Sequence, residues 1–71
     1  MAPPSSIIFG QRVRARRNHL GLSQSALADV VGVNRRVIGE LERGKASVQL
    51  GIALRVVEAL GLDVDLRERE R

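Results

Sequence analysis

Apolar residues recur along the chain at two spacings, and the change of spacing divides it. From Ile7 to Leu60 they recur at helical intervals in four short blocks. The first, about Ile7 to His19, sets Phe9 and Val13 one turn apart, with Leu20 closing the stripe. The second, about Gln24 to Val31, offers Leu27, Ala28 and Val31 as a buried face. The third, about Arg35 to Arg43, offers Ile38 and Leu41 among polar, charged or small neighbours. The fourth, about Leu50 to Leu60, offers Leu50, Leu54, Val57 and Leu60, with Ala53 and Val56 beside them. After Gly61 the period drops to two. Leu62, Val64 and Leu66 alternate with Asp63, Asp65 and Arg67, the pattern of a half-buried strand.

Local signals punctuate these blocks. Gly21, Gly32, Gly44 and Gly61 each follow a helical stretch, at the position where a left-handed backbone costs glycine little. Ser6, Ser23 and Asn34 precede the first three blocks as caps, and Ser47 or Gln49 serves the fourth. The expectation is an all-α bundle of four helices with one short C-terminal β-strand. Residues 1–6 read as a flexible tail, 7–61 as the helical domain and 62–71 as the strand with a frayed, charged end. One strand cannot satisfy its own backbone, and no second one is evident. Either it pairs with something outside the chain, or the pattern is a ragged tail.

Composition narrows the function. A chain of 71 residues makes one small domain with a thin core. Its 44% hydrophobic content is too high for a disordered chain. No cysteine is present, which excludes disulfides, thiolate metal sites and a cysteine nucleophile, and fits a reducing cytoplasm. No apolar run is long enough to span a membrane, and the opening MAPPSSIIFG does not read as a secretory signal. The single histidine, His19, reads as a helix-end residue complementing the dipole. No catalytic group, cofactor motif or metal cluster is evident, so an enzyme is not expected. Charge is unevenly placed: residues 1–45 carry a balance of +5 and residues 46–71 of −1. A basic face suits a polyanion, because neutralised phosphates release counterions.

The stretch from Leu20 to Lys45 carries the chemistry. It reads as two short helices joined by a tight turn around Gly32 and Val33, with small Ala28 letting them cross closely. Such a unit can lay its second helix in a major groove. The stretch resembles the lambda-repressor-like, or XRE, helix-turn-helix family. The matching elements are G-L-S-Q at Gly21 to Gln24, Leu27 with Ala28, Gly32 with Val33, Ile38, and L-E-R-G-K at Leu41 to Lys45. From Asn34 to Leu66 the chain further resembles the HipB-type antitoxins, whose fourth helix is followed by a short strand that pairs with its copy, which implies a homodimer closed through Leu62, Val64 and Leu66. That resemblance implies a repressor of its own operon, bound to a HipA-like serine/threonine kinase toxin and located on the bacterial nucleoid. The alternative is a stand-alone XRE regulator, either a phage-type repressor or a restriction–modification controller.

The resemblance gives roles to particular residues. Gln24, with Ser25 beside it, implies a bond to a DNA phosphate and a brace for the recognition helix. Arg17 and Glu42 imply an internal ion pair. Asn34, Arg35, Arg36 and Glu40 lie on the exposed side of the third block, where arginine can bond guanine and the first amides can hold phosphate. Which of Arg35 and Arg36 reads a base stays open. Arg43 and Lys45 are placed to meet the phosphate backbone. Gly39 in a helix interior reads either as room for close approach to DNA or as drift.

Overall fold

Four helices form where the pattern placed them. In the computed structural model, which describes residues 4–70, α1 spans Ser5–His19, α2 Gln24–Val31, α3 Arg35–Glu42 and α4 Leu50–Ala59. Two of the caps hold as anticipated. Ser23 Oγ accepts from Ala26 N at 3.0 Å, and Asn34 Oδ1 accepts from Arg36 N at 2.8 Å. All four block-ending glycines have positive φ, between 69° and 85°.

The start of α1 differs. Its N-cap is Pro4, whose carbonyl accepts from Ile7 N and Ile8 N at 3.0 and 3.2 Å. Proline carries no N–H to leave unsatisfied, so a helix opens on it readily. Ser6 therefore sits inside the first turn rather than capping it. Of the tail expected at 1–6, residues 1–3 lie outside the described residues, and Ser5 and Ser6 belong to α1.

The core is Val13 from α1, Leu27, Ala28 and Val31 from α2, Ile38 and Leu41 from α3, and Val56 and Leu60 from α4 and its end. Helix α3 packs on α1 and α2, and α4 packs on α2. Helix α1 meets α3 at unusually short range. A Cβ built on Gly10 would overlap the Leu41 carbonyl oxygen and lie 2.7 Å from that of Glu42. Glycine at position 10 is thus what lets the α1 backbone rest on the last turn of α3.

Two stripes are rotated from expectation. Leu20 is 43% exposed, because it lies in the turn after α1 and points off the bundle. Leu50 and Leu54 are also exposed, while Val56, Val57 and Leu60 are buried. Helix α4 leans on the core through its C-terminal half. Gln49 caps it by backbone only.

Beyond Gly61 the chain runs to residue 70 without a regular element, and no β-strand occurs among the described residues. Leu62 packs against the core, but Val64 is half exposed and Leu66 is 91% exposed. The alternating pattern thus has no ladder to join within one chain.

Candidate nucleic-acid interface

The structure brings Gln24 and Arg43 together beside Gly39, sets Asn34, Arg35 and Arg36 at the start of α3, and pairs Lys45 with Glu40 beyond its end. The turn at Gly32 sets α3 across α2, burying Ile38 and Leu41. The opposite side of α3 then faces solvent by helical geometry. Arg35 and Arg36 lie in its first turn and are exposed, as is the capping Asn34. Ser25 is exposed on the first turn of α2. Arg43 and Lys45 follow the end of α3 and are exposed.

Beneath this face lies a charged anchor. Arg17 and Glu42 form a two-pronged ion pair, Nε to Oε2 at 2.6 Å and Nη2 to Oε1 at 2.9 Å. Their side chains are only 10% and 3% exposed. Arg17 Nη1 also donates to the Leu22 carbonyl at 2.8 Å and to Asn18 Oδ1 at 3.2 Å. Glu42 Oε1 accepts a further bond from Gln24 Nε2 at 3.1 Å. Burial pushes the Glu42 carboxyl up, but the bonds from Arg17 and Gln24 and the nearby positive charge outweigh it and hold it below its ordinary range. The same hydrogen bond raises Arg17 further. Among the described residues no buried side-chain nitrogen or oxygen lacks a partner.

Two site residues bond within the protein. Gln24 donates its amide to Glu42 at the end of α3, leaving one N–H and the carbonyl oxygen for other partners. Glu40 is half-buried and bonds Lys45 Nζ at 2.9 Å, which lowers its carboxyl below the ordinary range. Such an exposed pair is worth little and can open to a phosphate. Sequence reasoning missed Arg16, whose Nε donates to the Leu60 carbonyl at 3.0 Å and so closes the end of α4. A basic residue at that spacing carries no signal of its own, because the bond depends on how α1 and α4 come together.

A model of the helix-turn-helix family matches residues 13–66. The HTH-type transcriptional regulator y4mF of Sinorhizobium fredii, uncharacterised, is 42% identical over 58 residues, covering 82% of this chain and 76% of that protein. The chain belongs to the helix-turn-helix family of XRE type. It is a transcriptional regulator of that type, and regulators of this family bind DNA and are not enzymes. The crystal structure of C.AhdI from Aeromonas hydrophila, a restriction-modification controller protein, superposes with a TM-score of 0.73. It is 40% identical and is covered over 86% of its chain, against 80% of this one. A chain from the HipA-HipB-O2-O3 complex superposes over 99% of both chains with a TM-score of 0.85 at 20% identity, which establishes a shared fold. Among the described residues of this helix-turn-helix protein no group of three His, Cys, Asp or Glu side chains could hold a metal, and no helix is long and apolar enough to cross a membrane.

Proposed function

We propose that the protein is a sequence-specific transcriptional repressor that binds a palindromic double-stranded operator as a homodimer, with α3 in the major groove. The observation that carries this reading is the first turn of α3. Asn34 caps it, Arg35 and Arg36 stand exposed there, and the back of the helix is held rigidly by Ile38, Leu41 and the Glu42 ion pair. Arginine in that position can bond the O6 and N7 of guanine, while Arg43 and Lys45 supply sequence-independent phosphate contacts. Two copies of so small a reading head need a dimer to reach successive grooves, about 34 Å apart. The segment from Leu62 to Leu66 supports self-pairing: its backbone has no ladder within the chain, and Val64 and Leu66 are uncovered apolar side chains. A selection from genomic fragments, followed by binding across a salt series, tests the reading. An enriched palindromic sequence whose affinity falls steeply with salt is the expected result, and the absence of enrichment would refute it.

The protein partner separates two finer readings. An antitoxin paired with a HipA-like kinase toxin is supported by the fold: four helices and a following segment without regular structure superpose over 99% of both chains on a chain of the HipA-HipB-O2-O3 complex. A restriction–modification controller is supported by sequence, since C.AhdI shares twice the identity that HipB does. Co-purification from the native host decides between them. A kinase-like protein retained on the tagged chain favours the first. Its absence, with a restriction–modification operon bound in the genomic selection, favours the second.

A further inference from the structure

The glutamate that completes the buried ion pair also fixes how Gln24 is turned. An ionised carboxylate can only accept hydrogen bonds, so Gln24 must aim its NH2 at Glu42 Oε1. Its carbonyl oxygen is thereby turned elsewhere, and it comes to Gly39. A Cβ built on Gly39 would lie 3.8 Å from Gln24 Oε1 and 3.3 Å from Arg43 Nη1. An acceptor and a guanidinium that can only donate therefore border the same small volume. That volume exists because residue 39 has no side chain. Gly10 makes room for backbone, but the atoms nearest a Cβ at Gly39 all belong to the side chains of Arg43 and Gln24. Nothing in the core accounts for glycine here, and glycine weakens a helix interior.

We propose that Gln24 is a positioning residue for Arg43: its carbonyl oxygen steadies the guanidinium above Gly39, so that the remaining N–H groups grip a DNA phosphate. Gly39 is the floor beside which both side chains lie. Hydrogen bonds run from Arg17 through Glu42 to Gln24, and the proposed step from Gln24 Oε1 to the neighbouring Arg43 would extend that chain to the backbone of the DNA. This inference rests on the DNA-binding reading above. It goes further by giving Gln24 and Gly39 a part in positioning Arg43, already read as a phosphate contact.

The test uses the full chain and a mixed-sequence DNA duplex, since a phosphate contact is independent of sequence. Arg43→Ala should reduce the salt slope of binding by about one. Gln24→Met, similar in length but unable to hydrogen-bond, should weaken binding nearly as much. Gly39→Leu, which fills the volume, should do the same, with Gly39→Ala between it and the native chain. Combined with Arg43→Ala, neither Gln24→Met nor Gly39→Leu should change affinity by more than about twofold, the margin within which independent effects are resolved. Losses that multiply in the double variants, or native affinity in Gly39→Leu, would overturn the proposal. A second arm needs no DNA: NMR relaxation of the Arg43 Nε–H should show an ordered guanidinium in the native chain and a looser one in Gln24→Met. Equal mobility in both would overturn it as well. Failure of the native chain to bind any duplex would instead remove the DNA-binding reading, and the NMR arm would still judge the Gln24–Arg43 contact.

Discussion

Removing the Glu42 carboxylate should take away a large share of the protein's stability. Glu42→Ala leaves Arg17 Nε and Nη2 without acceptors at a side chain only 10% exposed, while Nη1 keeps Leu22 and Asn18. Stripping one partner from a buried pair costs about 3–5 kcal/mol. Because Arg17 keeps two of its bonds, the lower end applies, about 3 kcal/mol. Domains carry roughly 0.05–0.15 kcal/mol per residue, which for this chain is about 4–10 kcal/mol in all. In a domain of this size each kcal/mol moves Tm by about 4–8 °C, so circular-dichroism melts should fall by at least about 12 °C. Arg14→Ala, at an exposed position on the same helix, should stay within about 0.5 kcal/mol of the native chain. Replacing both partners with apolar residues, as in Arg17→Met with Glu42→Leu, should recover much of the loss, because no charge is then left buried alone. Equal melts for Glu42→Ala and Arg14→Ala would refute the reasoning, as would a double variant less stable than Glu42→Ala.

Other consequences can be measured directly. Glu42 is held below its ordinary value of 4.5, so its contribution to stability is complete above that value and lost as pH falls through the folded-state value. Melts over an acid series should therefore decline below about pH 5, and Glu42→Gln should flatten that decline. At the operator, alanine at whichever of Arg35 and Arg36 reads a base should cost about 1–3 kcal/mol and relax preference at one base pair, as read by selection on randomised sites. Lys45→Ala should weaken all sequences alike and lower the salt slope by about one. Removal of Leu62 to Arg71 should shift sedimentation towards monomer and lower operator affinity, while the helical signal largely persists. A truncated dimer binding DNA normally would place the interface elsewhere.

The helix-turn-helix was legible because its instructions are local. Ser23, Gly32 and Asn34 act within a few residues of themselves, and Leu27, Ala28, Val31, Ile38 and Leu41 repeat at the helical period on short helices. The face of α4 was less legible. Leu50 and Leu54 fit the same period as Leu60, and only the docking of α4 on α2 decides that its C-terminal half is the covered part. The Arg16 bond to the Leu60 carbonyl and the capture of Gln24 by Glu42 join residues 44 and 18 positions apart. The glycine at position 10 did carry a signal, since an unforced glycine inside a helix often marks close approach of another backbone, but it does not say which one. The alternation after Gly61 has the period of a strand, but no strand forms there among the described residues, because backbone pairing is not written in side-chain order and one chain supplies no partner.

The contact at Gly10 divides the molecule into a mount and a set of interchangeable letters. Where two helices meet through side chains, each substitution can tilt one against the other. At Gly10 the last carbonyls of α3 rest on a bare Cα of α1, so that point of the contact, beside the Arg17–Glu42 pair, offers no side chain to vary. Residues 35 and 36, at the far end of α3, contribute nothing to that seat. If residues 35 and 36 read the operator as proposed, a lineage built on this arrangement can change the base pairs it recognises one exposed residue at a time, without re-aiming the helix that carries them. Retargeting then becomes a search over a few surface positions, and the same economy is open to anyone redesigning the protein for a new site.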